Sequence, residues 1–129
     1  MKTWSIPLPY PPSVNSYWRH SRGITYISKK GREYRERVID IIHGLHLNNR
    51  IKCRVAVKIY MAPPDRRARD IDNIEKCLFD ALTHAEFWED DSQIDYMVVE
   101  RCQRFKGGKI LIVIREREPE LLDIHEVLE

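Results

Sequence analysis

The segment "CRVAVKIYMAPP", Cys53 to Pro64, alternates Val55, Val57, Ile59 and Met61 with polar or small residues. That is the period of a strand with one buried face. Pro63 and Pro64 stop it, because proline offers no N–H to a ladder. The period then changes. Ile71, Ile74, Leu78, Ala81, Leu82 and Ala85 fall at three- and four-residue steps, which predicts a helix from about Ile71 to Ala85 with one apolar stripe. A half-buried strand delivering such a helix requires a sheet for the helix to lie on.

The remaining elements supply that sheet. "TWSIPLPY" reads as a strand confined to an edge by Pro7 and Pro9. "PPSVNSYWRHSRG" has the chemistry of a loop, and "ITYIS" is a short strand. Ser28 is placed to cap a helix reaching about His46, with Tyr34, Val38, Ile41, Ile42 and Leu45 at helical spacing. "IDYMVVERCQRF" and "KILIVIRERE" are two more strands, and Gly107-Gly108 between them predicts a hairpin. The order β, β, α, β, α, β, β gives an α/β (α+β) fold, a mixed sheet with two main helices packed on it.

With 129 residues, 43% of them apolar, the chain has material for one domain. No run approaches the ~18 apolar residues of a membrane span, and "MKTWSIPLPYPP" lacks an uninterrupted apolar core. The expectation is a soluble cytoplasmic protein with no membrane partner. Cys53, Cys77 and Cys102 are odd in number and lack zinc spacing, so they read as reduced thiols.

Charge is unevenly spread. Residues 1–58 carry twelve Lys and Arg against three acids, whereas residues 59–129 carry ten against seventeen. The basic half suits a polyanion and the acidic half suits a metal ion or solubility. Such a domain can hold nucleic acid with one surface and cut it with another.

Opposite charges crowd most closely in "PPDRRARDIDNIEKCLFDALTHAEFWEDD", Pro63 to Asp91. Asp70 has the position of an N-cap and Asp72 that of a first turn, so both side chains can converge before the helix. Each is also an ordinary residue there, since free amides and the helix dipole favour carboxylates. Lys76 follows Asp72 by one turn, Asn73 lies beside them, and Asp90-Asp91 returns after the helix. Together Asp70, Asp72 and the returning carboxylate make a plausible Mg²⁺ cage of hard oxygen ligands.

"PLPYPPSVNSYWRHSRG", "DRRARDIDNIEKCLFDAL" and "FWEDDSQI" resemble the RusA family of Holliday-junction resolvases, small phage- and prophage-associated nucleases. The similarity runs from Ser5 to about Ile114, with the motifs in order. It implies a single endonuclease domain over residues 1–117, with an acidic tail at 118–129 outside the match. It implies Asp70, Asp72 and Asp91 as catalytic, metal-binding carboxylates, Lys76 as the catalytic lysine and Arg69 as a DNA contact. It further implies a homodimer that nicks a four-way DNA junction symmetrically using Mg²⁺ or Mn²⁺. In that setting Arg66, Arg67 and Arg69 grip phosphates, with Asn73 beside them, and Asp90 is a supporting or capping residue.

A second basic region interleaves Arg19, Arg22, Lys29, Lys30 and Arg32 with Tyr17, Trp18 and Tyr26. Arg19 and Lys30 suit backbone contact with DNA and the aromatics suit stacking on unpaired bases. A solvated basic face with half-buried aromatics fits the same pattern. His43 and His46 have no third ligand and read as structural. Two alternatives stay open: a metal-dependent nuclease acting on other branched DNA, and a non-catalytic DNA-binding module whose acids only cap a helix.

Overall fold

The computed structural model describes all residues from Met1 to Glu129. Its strands are β1 (Thr3–Leu8), β2 (Trp18–Ser21), β3 (Ile24–Ile27), β4 (Val55–Ala62), β5 (Ile94–Arg101) and β6 (Lys109–Glu116). Its helices are α1 (Val14–Tyr17), α2 (Lys29–Gly44), α3 (Glu75–His84) and α4 (Ile124–Leu128). Single 3₁₀ turns at Ile71–Asn73 and Asp91–Gln93 precede α3 and β5. No helix is long and apolar enough to cross a membrane.

Four strands form a mixed sheet in the order β1-β6-β4-β5, and β2 and β3 form a separate antiparallel pair. The alternation in β4 appears as expected: Val55, Val57, Ile59 and Met61 are all buried. They meet Ile6 and Leu8 of β1, Ile110, Ile112 and Ile114 of β6, and the inward faces of α2 and α3 in one core cluster. The opposite sheet face is left more open, with Tyr96 and Leu111 exposed.

The two C-terminal strands do not form the predicted hairpin. β5 pairs with β4 in parallel, β6 pairs with β4 antiparallel, and β4 separates them. The reason is the crossover: a helix between β4 and β5 makes their pairing parallel and leaves the other side of β4 for β6. The connection then runs over the end of β4, where the Cys102 amide donates to the Met61 carbonyl at 2.7 Å and Phe105 to Pro63 at 3.0 Å. Gly108 ends this passage against Tyr10, where a Cβ would stand 2.6 Å from the tyrosine Cβ.

Local signals fared better, with three corrections. Ser28 caps α2 as expected, accepting from the Gly31 amide at 3.0 Å, but α2 ends at Gly44 and leaves Leu45 exposed. Within the expected loop lie α1, capped by Ser13, and strand β2. Regular α3 starts at Glu75 rather than Ile71, because the Ile71–Asn73 turn comes first and Ile71 remains exposed. Gly31 lets the first turn of α2 approach Tyr17, whose carbonyl oxygen would lie 2.6 Å from an added Cβ. All three cysteines are free. The tail ends in α4, with Leu121, Leu122, Ile124, Val127 and Leu128 all exposed.

Candidate active site

Pro63 and Pro64 turn the chain away from β4 into an arginine-rich loop that Asp65 organises. The Asp65 carboxylate accepts from Nη1 and Nη2 of Arg69, the latter at 3.1 Å, and from the Arg67 amide at 3.0 Å. The Arg69 hydrogen bonds, followed by that of the Arg67 amide, hold the Asp65 carboxyl well below its ordinary range. Arg101, at the end of β5, donates from Nη2 to the Arg69 carbonyl at 2.6 Å. The Arg69 guanidinium also lies 6.0 Å from the centre of the Tyr10 ring. Thus two of the predicted phosphate-binding arginines are pre-set by Asp65, while Arg66 stays exposed.

Asp70 has the expected extended backbone of a cap, yet its side chain makes no capping hydrogen bond. It lines a cavity of about 570 Å³ with Arg67, Arg69, Asn73 and Tyr10. Asp72 is exposed in the 3₁₀ turn, and Lys76 is exposed on the first turns of α3. The predicted residues Arg67, Arg69, Asp70 and Asn73 are therefore brought together.

Asp91 is elsewhere. It opens the turn before β5, at the end of the sheet where Gln93 donates from Nε2 to the carbonyls of Ile51 and Cys53, each at 2.9 Å. Asp90 caps that turn, accepting from the Ser92 amide at 3.0 Å, and Gln93 closes the capping box. These bonds to Ser92 hold the Asp90 carboxyl below its ordinary value. Asp91 has no such partner. Partial burial, and after it the charges of Asp90 and Asp80, push its carboxyl upward.

The expected convergence of Asp70, Asp72 and Asp91 does not occur within one chain. The first two precede α3 and the third follows it, and ten helical residues rise about 15 Å. No three His, Cys, Asp or Glu side chains lie close enough to hold a metal ion. The donor chemistry nevertheless suits a hard divalent cation. Seven ion pairs are present, and none uses Asp70, Asp72 or Asp91. Lys76 is equally uncommitted.

The second basic region forms a projecting unit. Arg19, His20, Arg22, Ile24 and Tyr26 are exposed on the β2–β3 hairpin, and Lys29, Lys30 and Arg32 follow on the first turn of α2. Tyr17 is not available for stacking: it is fully buried, and its hydroxyl donates to Asp80. Trp18 is half-buried against Tyr17, with ring centres 4.9 Å apart, which leaves Tyr26 as the exposed aromatic. Sequence reasoning missed Asp65, Asp80 and Arg101. The one legible signal was Asp80, an acid one turn beyond Lys76 on a largely apolar helix.

Comparison with known proteins identifies the family. The family model "Endodeoxyribonuclease RusA" matches residues 9–115. The crossover junction endodeoxyribonuclease RusA of Shigella sonnei (strain Ss046) is 48% identical over 117 residues, covering 90% of this chain and 97% of the relative. The protein of that name from Escherichia coli (strain K12) is 47% identical over the same length, and that from Enterobacteria phage 82 is 48% identical, with the same coverage of both chains. With its family model spanning most of the sheet, both main helices and the aspartate-bearing turns, the chain belongs to the RusA family of endodeoxyribonucleases.

Proposed function

We propose that this chain is a crossover-junction endodeoxyribonuclease, a cytoplasmic enzyme that resolves four-way DNA junctions by paired, symmetric nicks as a homodimer. The observation that carries the reading is the isolation of three carboxylates. In a chain with 22 Lys and Arg, Asp70, Asp72 and Asp91 form no ion pair. Unpaired acids, Asp70 among them beside Arg67 and Arg69, fit a site reserved for a cation and a phosphate.

Asp70, Asp72 and Asp91 would hold a divalent cation, Mg²⁺ or Mn²⁺. Such an ion, when bound, neutralises phosphate charge and makes a water molecule more acidic. Arg69 and Arg67, fixed by Asp65, present guanidinium groups to the backbone beside the cavity, and Arg66 adds an exposed charge. Asn73 offers an amide to the same region. The Lys76 ammonium is free to face charge developing on the scissile phosphate. Arg19 and Lys30 extend the grip along the hairpin and α2.

Because Asp91 lies a helix length from Asp70 and Asp72, each centre is best completed by two copies. Asp70 and Asp72 of one subunit would then meet Asp91 of the other, and a two-fold axis would generate two equivalent centres for two equivalent strands. Subunit mixing tests this. Asp70→Asn and Asp91→Asn proteins should each be inactive alone. Mixed as heterodimers they contain one centre with all three aspartates, and should nick one strand of a synthetic junction. No recovery of nicking in confirmed heterodimers would reject shared centres. Failure of wild-type protein to nick the junction with either metal would reject the function.

A further inference from the structure

The β2–β3 hairpin pairs with no strand of the main sheet, and a two-stranded hairpin alone is marginal in water. Its orientation must come from its root. Tyr17 is the residue immediately before β2, and its hydroxyl donates to Oδ2 of Asp80 on α3. Arg35 of α2 donates from Nη2 to the same oxygen at 2.8 Å. Ser28, immediately after β3, donates its amide to the Tyr17 carbonyl at 2.9 Å and its hydroxyl to the Ser16 carbonyl at 2.5 Å. Asp80 therefore joins α2 and α3 to the root of the hairpin.

The placement of Asp80 on α3 gives this junction a consequence. Lys76 and Asp80 are one turn apart and share a helix face. Tyr17 and Arg35 occupy the Asp80 carboxylate, and Lys76 is not in an ion pair with it. His84 Nε2 lies 3.6 Å from Oδ1. We propose that Asp80 is a positioning residue: through Tyr17 and Arg35 it fixes the basic β2–β3 hairpin relative to the Lys76 face of α3, and so sets selectivity for branched over linear DNA. This rests on the function proposed above. The role is not catalytic, because Asp80 is already engaged by protein groups.

The test uses Asp80→Asn, which keeps the shape but loses the charge, and Tyr17→Phe, which removes only the hydroxyl. Amide hydrogen exchange is followed in β2–β3 and in β4. Affinity is measured for a four-way junction and for a linear duplex, and single-turnover nicking is measured at saturating protein. Each variant should raise hairpin exchange about tenfold and leave β4 unchanged, the scale expected for losing one charged hydrogen bond. Junction affinity should fall by a similar factor while duplex affinity falls much less. Nicking by the bound complex should stay within about twofold, and the double variant should be no worse than the poorer single one. Unchanged hairpin exchange, or an equal rise in β4, would overturn the anchor. A loosened hairpin with junction-to-duplex selectivity intact would overturn the positioning role. The exchange measurement needs no DNA, so it judges the anchor even if the nuclease reading fails.

Discussion

Arg101, the last residue of β5, donates from Nη2 to the backbone carbonyl of Arg69 at 2.6 Å, tying the sheet to the arginine loop one residue before Asp70. Arg101→Ala should therefore loosen the loop without unfolding the domain. We expect junction affinity to fall about tenfold, the low end of the range for one charge-assisted hydrogen bond. Equal affinities in a titration at fixed salt would show that the loop holds its form without Arg101. Arg69→Ala should likewise cost affinity more than the single-turnover rate of the bound complex.

Substitution of the aspartates separates chemistry from binding. Asp70→Asn, Asp72→Asn and Asp91→Asn should each reduce nicking by on the order of a hundredfold or more, as when a charge-stabilising group at a reacting centre is lost. Junction binding without metal should persist. Asp90→Asn should lose much less activity, because Asp90 spends its carboxylate on the Ser92 amide. Its expected signature is a small fall in Tm. Near wild-type nicking by any of the first three would remove that residue from the site.

The pH dependence follows from Asp91. Burial and Asp90 raise its folded pKa above the ordinary carboxylate value. Such a group favours the folded state while protonated, and that contribution is lost as pH rises through the raised folded pKa. Asp91→Asn should therefore raise Tm at neutral pH while abolishing nicking, an exchange of stability for function. In the wild type, acidification should weaken metal binding through protonation of Asp91. Asp90→Asn removes the neighbouring charge and should move that acid limb to lower pH, measurable by Mn²⁺ titration between pH 4 and 7.

Asp65 titrates in the opposite sense. Its pKa is lowered by Arg69 and then by the Arg67 amide, so its contribution is present above the ordinary carboxylate pKa and lost only as pH falls through the depressed value. Loop amide resonances of Arg67 and Arg69 should hence stay native through the acid limb that protonates Asp91. Their loss in the same pH interval would contradict the Asp65 pairing.

Truncation after Arg117 should leave the fold intact. No residue beyond it is buried, while the Arg117 amide still donates to the Arg54 carbonyl at 2.9 Å. Tm should shift by no more than about 2 °C, as for surface changes. Removal of Glu118, Glu120, Asp123, Glu126 and Glu129 should tighten junction binding at low salt, with the gain shrinking as salt screens the tail. A large fall in Tm would show that the tail belongs to the domain.

The sequence alone determined what depends on near neighbours. The alternation of β4 and the Ser28 cap of α2 follow from residues a few positions apart, and so do the arginine loop and its junction with Asp70. Tertiary structure decided whatever depends on pairing across long stretches. Gly107-Gly108 carries a good turn signal, but β6 found β4 because the α3 crossover had placed β5 on the other side. Tyr17 reads as a surface aromatic among basic residues, until the fold brings Asp80, 63 positions away, to its hydroxyl. Asp91 reads as the partner of Asp70 because the helix between them looks like a return path. A straight helix instead carries the chain about 15 Å away, and side-chain periodicity reports which face a residue occupies, not which end of the sheet it reaches.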